Sequence, residues 1–128
     1  MPLVRIDIPD HLDVGLESRI GDLVYVAMLE CLKVPADDKF QILSRHSAEQ
    51  IVKPQSYLGI EYTDELVVIQ ITLNEGRKTD VKKSLYAKVA DLLSGELNLR
   101  RENLLISLVE VNKENWSFGN GEMQYGPG

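Results

Sequence analysis

The sequence is poor in cysteine, in aromatic residues and in uninterrupted apolar runs. With one cysteine, Cys31, among 128 residues, no intrachain disulfide can form, and a reducing, cytoplasmic address is expected. No window approaches the roughly eighteen uncharged apolar residues that a membrane span requires. Arg5 and Asp7 also interrupt the first apolar stretch, so neither a membrane partner nor a secretory leader is expected. Runs of lysine and arginine are missing too. Fourteen basic residues against twenty acidic ones give a net charge of −6, which argues against nucleic acid as partner. A small anionic ligand stays open, because it responds to local rather than net charge. His11 and His46 are isolated and one cysteine cannot build a zinc site, so no metal is expected. No glycine-rich phosphate loop and no local Ser-His-Asp grouping is present either, and no cofactor is expected.

What is present is enough apolar residue, 44% of the chain, for one domain with its own core. Leu3, Val4, Ile6 and Ile8 make an opening strand, starting at Pro2 and closed by Pro9. From about Asp13, the spacing of Leu16, Ile20, Val24, Met28 and Leu32 draws one face of a helix, weakened by Gly15 and Gly21. A loop with Pro35 follows, and residues 39–46 form a second strand. Residues 47–64 are polar and turn-rich, an extended excursion or hairpin arm. The order then repeats: a strand over 66–73, a turn at 74–77, a helix that Thr79 caps and that carries Val81, Leu85, Val89, Leu93 and Leu97, and a strand over 104–111. The chain is therefore an α/β (α+β) fold, a βαβ unit used twice within one domain spanning 1–128. The repeats cover about 2–57 and 65–125, followed by a C-terminal tail. Helical crossovers imply a parallel pair in each half and a four-stranded mixed sheet with both helices on one face. The strands are apolar on both sides, so the uncovered face predicts an oligomer.

Several residues can carry chemistry. If Met1 is removed, Pro2 exposes a secondary amine that titrates near 8 or below, within reach of a general base at neutral pH. If Met1 is retained, the same nitrogen is a non-basic amide. Arg77 sits between strand and helix, where a guanidinium can hold a carboxylate bidentately or simply face solvent. Asp37 and Asp38 can orient water, act as acid or base, or merely close a turn. Arg45 and His46 end the second strand, where they offer a cation and an imidazole or simply lie at the surface. Tyr57, Tyr62 and Tyr86 are phenolic donors or packing residues. Trp116 and Phe118, in a tail with Gly119 and Gly121, can wall an apolar pocket or anchor an interface.

Together, Pro2 after Met1, the doubled βαβ order, and three segments resemble the tautomerase superfamily over essentially residues 2–125. The segments are Val34-Pro35-Ala36-Asp37-Asp38-Lys39-Phe40-Gln41, Ile71-Thr72-Leu73-Asn74-Glu75-Gly76-Arg77 and Asn115-Trp116-Ser117-Phe118-Gly119-Asn120-Gly121-Glu122. The branch containing malonate semialdehyde decarboxylase is the most similar. The resemblance implies Pro2 as the catalytic group, Asp38 as the catalytic aspartate, Arg77 as the substrate-carboxylate arginine, and Trp116 and Phe118 as the pocket's aromatic wall. It implies a homotrimer acting on small 2-oxo acids, their enols, or three-carbon acids. One position departs: where the decarboxylase has a second arginine, two residues before Arg77, this chain has Glu75. An anion there repels a carboxylate and polarises no carbonyl, so tautomerisation is the expected reaction. Decarboxylation or hydration of a three-carbon acid, with Asp38 activating water, is the alternative within chemistry. A non-enzymatic trimeric ligand-binding protein is the alternative outside it.

Overall fold

Strand and helix follow from where the apolar side chains fall. In the segment Val67–Asn74, burial alternates residue by residue, with Val67, Ile69, Ile71 and Leu73 sealed from solvent, the period of a pleated strand. In Leu16–Leu32 the buried positions are Leu16, Ile20, Gly21, Val24, Ala27, Met28 and Leu32, the spacing of one helical face. The computed structural model describes residues 2–126. The elements in chain order are β1 (Leu3–Pro9), α1 (Leu16–Leu32), β2 (Phe40–His46), β3 (Ser56–Tyr57), β4 (Ile60–Glu61), β5 (Val67–Asn74), α2 (Thr79–Leu97) and β6 (Leu104–Val111).

The main sheet has the order β2-β1-β5-β6. β1 and β2 are parallel, β1 and β5 antiparallel, β5 and β6 parallel. This is the mixed sheet expected of two βαβ crossovers. Both helices pack on one face, where Ile6, Ile8, Ile69 and Ile71 meet Ile20, Val24, Leu85, Val89 and Leu93 in one core.

The other face is not the uniformly apolar surface that the strand composition predicts. In-register neighbours share a face, and its central row reads Ile42, Arg5, Gln70, Ser107. Arg5, Gln70 and Ser107 are exposed polar groups there. Apolar residues flank them: Phe40 and Val109 on one side, Val68 and Leu105 on the other.

Element boundaries shift by one residue at β2, which starts at Phe40 rather than Lys39, and at β5, which is Val67–Asn74 rather than 66–73; three further differences have a local reason. Pro2 has no N–H to give a ladder, and β1 begins at Leu3. α1 begins at Leu16 rather than Asp13, since Gly15 stands before it in the left-handed region at φ 80°, open to glycine without strain. The loop ahead of it is turned to Arg45, whose guanidinium donates to the carbonyls of Asp10 (3.3 Å), Leu12 (2.7 Å) and Asp13. Thr79 is the first helical residue of α2, and Lys78 is the N-cap, with no side-chain cap bond. Asp80 supplies an acceptor instead: its Oδ1 takes the Val81 N–H at 3.0 Å. The 47–64 arm is a hairpin, with β3 and β4 antiparallel, preceded by a short 3₁₀ turn at Ala48–Gln50.

Candidate active site

The parallel pairing of β1 with β2 sets Leu3 opposite Phe40, so the start of β1 and the start of β2 lie side by side. Beside them is a cavity of about 230 Å³ lined by Pro2, Leu3, Phe40, Trp116, Ser117 and Phe118. Pro2 is buried. The tail reaches this position because the chain turns back immediately after β6, through a 3₁₀ turn at Lys113–Asn115.

The wall is a set of ring contacts. Trp116 and Phe118 stack with centroids 5.4 Å apart and planes at 15°. Phe118 tilts on Phe40 at 6.4 Å, and Tyr125 meets Phe118 edge-on at 5.2 Å. Gln124 locks the turn between them: its Oε1 accepts the Phe118 N–H (2.9 Å) and its Nε2 donates to the Gly119 carbonyl (3.0 Å). On the strand side, Trp116 Nε1–H donates to Asn74 Oδ1 at 2.8 Å.

Asp38 precedes Phe40 by two residues and is buried, at 6% exposure, while Asp37 is exposed. The two neighbouring carboxylates are thereby distinguished. Burial holds the Asp38 carboxyl above its ordinary value, because desolvation disfavours the charged form. The loop carrying it is fastened to α1. Tyr25 donates its hydroxyl to the Ala36 carbonyl, Asp38 N–H donates to the Pro35 carbonyl (3.1 Å), and Lys39 pairs with Asp22 (2.7 Å).

Arg77 follows β5 and is half-buried. Its Nη1 donates to the Asn74 carbonyl (3.2 Å) and its Nη2 to the Leu32 carbonyl (3.3 Å). Leu32 is the last residue of α1, whose terminal carbonyls have no partner within the helix and carry its negative dipole end. A guanidinium has five N–H donors, so these two bonds leave others for a carboxylate. Glu75 is exposed.

Of the residues singled out from sequence, Pro2, Trp116 and Phe118 share one cavity, while Asp38 and Arg77 are not among its lining residues. Arg77 is connected to the wall through Asn74. Leu3, Phe40, Ser117 and the supporting Asn74, Gln124 and Tyr125 are additions from the fold. Phe40 had one sequence signal, an aromatic at the first position of a strand, and the pairing partner that gives it meaning lies 37 residues away. Tyr57 and Tyr62 instead line a separate cavity of about 320 Å³ under the hairpin arm, with Val68 and Leu105. Tyr86 lies on α2, partly exposed. Arg45 ties β2 to Glu17 and the β1–α1 loop. His46 Nε2 lies 2.6 Å from Asp7 Oδ1.

A larger cavity, about 480 Å³, lies at the opposite end of the sheet, beside the start of β5. It mixes His11, Asp13, Arg19, Glu65, Glu96 and Arg100 and has no aromatic wall. Size and chemistry therefore point to different places, and the burial of Pro2 among aromatics favours the smaller one. Among the described residues no group of three or more His, Cys, Asp or Glu is placed to hold a metal ion. No described helix is long and apolar enough to cross a membrane.

Comparison with known proteins places these features in company. Residues 38–119 match the family described as "Tautomerase enzyme". The probable tautomerase YusQ of Bacillus subtilis (strain 168) is 35% identical over 124 residues, covering 97% of this chain and 98% of its own. The crystal structure of FG41 malonate semialdehyde decarboxylase inhibited by 3-bromopropiolate superposes with a TM-score of 0.88 at 30% identity, over 96% of this chain and 93% of that one. A fused 4-OT symmetric trimer shares the fold, with a TM-score of 0.75 at 16% identity over 94% of each chain.

Proposed function

The chain belongs to the tautomerase superfamily, in the branch similar to malonate semialdehyde decarboxylase, and from that premise we propose that it is an enzyme of proton transfer. Its substrate is a small 2-oxo acid or the enol of one, and its catalytic group is the amine of Pro2 once Met1 is removed. Met1 itself lies outside the described residues. The observation that carries this reading is Pro2 buried in an aromatic-walled cavity on a chain of this family.

The chemistry asks little of the site. An α-amine has its neutral form within reach at neutral pH, and in that form Pro2 accepts the proton of an enol hydroxyl as the carbonyl forms. The resulting ammonium returns a proton to the adjacent carbon. Arg77 pairs with the carboxylate, Trp116 and Phe118 pack on the apolar part of the substrate and exclude water, and Asp38 positions the proton or a water. Nothing is oxidised or reduced, and the amine ends as it began.

In the same reading residues 1–128 form one domain of two repeats, about 2–57 and 65–125, and one subunit of a homotrimer. The exposed sheet face with Phe40, Ile42, Leu105 and Val109 supports the assembly, as does the likeness to a fused 4-OT trimer.

The test is ketonisation of phenylenolpyruvate, followed by ultraviolet absorbance, with protein whose loss of Met1 is confirmed by intact mass. The expected result is a rate that collapses in Pro2→Ala. Equal background rates from both proteins overturn the tautomerase reading and leave hydration or decarboxylation of a three-carbon acid, and after it ligand binding alone.

A second reaction, hydration or decarboxylation of a three-carbon acid, is favoured by the buried Asp38 and the likeness to a decarboxylase. In it a protonated Pro2 polarises the substrate and Asp38 activates water. Glu75 opposes it, so Glu75→Arg is expected to raise activity on a 3-oxo acid, and no change in that variant removes this reading.

A further inference from the structure

The aromatic wall and the arginine meet at one residue that belongs to neither. Asn74 is the last residue of β5 and pairs with Val111, the last residue of β6. The ladder continues one bond further, with the Glu75 N–H donating to the Val111 carbonyl at 2.9 Å. Asn74 is thus held at the rigid end of two strands. The tail leaves from Asn112, turns through Lys113–Asn115 and brings Trp116 back onto the Asn74 side chain. An indole N–H only donates, so the amide oxygen of Asn74 must face it. The carbonyl of the same residue receives Arg77 Nη1.

We infer that Asn74 is a positioning residue that sets the aromatic wall against the carboxylate-binding arginine, and so determines how well the site accepts an apolar substituent. This rests on the proposed function for its catalytic consequence, since the substrate is held between Arg77 and the wall only in that reading. The two bonds differ in what a substitution can break. The carbonyl that holds Arg77 belongs to the backbone and survives any side chain at 74. Only the bond to Trp116 depends on the amide oxygen. A side-chain change at Asn74 therefore loosens the wall and leaves the arginine in place.

Trp116 is the one tryptophan of the chain, so its fluorescence reads the wall directly and needs no turnover. Asn74→Leu, of similar size but without an acceptor, is expected to raise the acrylamide quenching constant of Trp116 about twofold, as the loosened tail opens to solvent. Asn74→Asp keeps an oxygen acceptor and is expected to restore the wild-type value. With phenylenolpyruvate, loss of one hydrogen bond in a binding wall corresponds to a rise of about three- to tenfold in KM with kcat little changed. Trp116→Phe, which keeps an aromatic ring, though a smaller one, and removes the N–H, is expected to raise KM likewise, and the double variant Asn74→Leu/Trp116→Phe to raise KM no further than Trp116→Phe alone. Unchanged quenching in Asn74→Leu overturns the inference, as does equal behaviour of Asn74→Asp and Asn74→Leu, or additive effects in the double variant. If wild-type protein turns over no enol, the proposed function falls, and the quenching series still decides whether Asn74 holds the wall.

Discussion

Tyr125 meets Phe118 edge to face, with centroids 5.2 Å apart and planes at 77°. The positive edge of one ring lies against the negative face of the other, a geometry that adds about 0.5–1.5 kcal/mol beyond buried area. The contact turns the last described residues of the tail back over the candidate site. A double-mutant cycle with Phe118→Leu and Tyr125→Leu, read by urea denaturation, is expected to show a coupling of about 1 kcal/mol. Tyr125→Leu is also expected to raise KM for a phenyl-bearing substrate without lowering kcat. Strictly additive losses would mean that the two rings are neighbours without energetic consequence.

The buried carboxyl of Asp38 makes a pH prediction. Its folded pKa is raised by burial, so the fold favours the protonated form. The stability this group contributes is fully present below its unfolded value, near 3.9, and is lost as pH rises through the folded value. Asp38→Asn, neutral at every pH, is therefore expected to melt close to wild type near pH 3 and above it near pH 7. Thermal melts at the two pH values check this, and a gap that narrows with rising pH contradicts it. Activity separates the two chemistries: Asp38→Asn abolishes hydration, where the carboxylate activates water, and only slows enol ketonisation, where Pro2 moves the proton.

Glu17 behaves in the opposite sense. The hydrogen bond from Arg45 holds its carboxyl below the ordinary value, and the same guanidinium gathers the carbonyls of the β1–α1 loop. A lowered carboxylate contributes stability above its unfolded pKa, near 4.3, and loses it as pH falls through the folded value. Glu17→Gln is expected to lower the Tm by a few degrees at pH 7, with the difference from wild type closing below pH 4. A constant difference across that range would show that packing, not charge, holds the loop.

How much of this was legible in the sequence depended on whether the governing interaction was local. The apolar run over 66–73 and the helical spacing from Leu16 to Leu32 are local, and both elements are readable within a residue or a few. The α2 cap was misread because threonine is a good cap in general, while here Asp80 already satisfies a free N–H of the first turn. The outer sheet face is more mixed than the strand composition suggests. Leu66–Leu73 looks apolar on both sides, yet the exposed position at its centre is Gln70, set beside Arg5 by a pairing with β1. Family motifs pointed to Pro2, Trp116 and Phe118. Asn74 and Phe40 stand inside the quoted segments with no role read for them there, because their meaning comes from contacts with residues 42 and 37 positions away.

Gly21 shows how a residue that looks like a flaw in a helix can be a packing requirement. It lies inside α1, where glycine costs about 1 kcal/mol relative to alanine. A Cβ there would stand 2.3 Å from Gln41 Oε1, and the same Gln41 donates Nε2–H to the Gly21 carbonyl at 2.8 Å. Gly21→Ala therefore gains helix propensity and displaces a side chain whose hydrogen bond contributes about 1 kcal/mol, so the net change in stability is expected to be small. With Gln41→Ala already present, the obstruction is gone. The same Gly21→Ala change is then expected to stabilise by about 1 kcal/mol, because Leu43 Cδ2 at 3.5 Å is ordinary contact. Urea midpoints of the four proteins decide it: equal effects of Gly21→Ala in both backgrounds would mean that Gln41 yields freely and that the glycine serves no packing purpose.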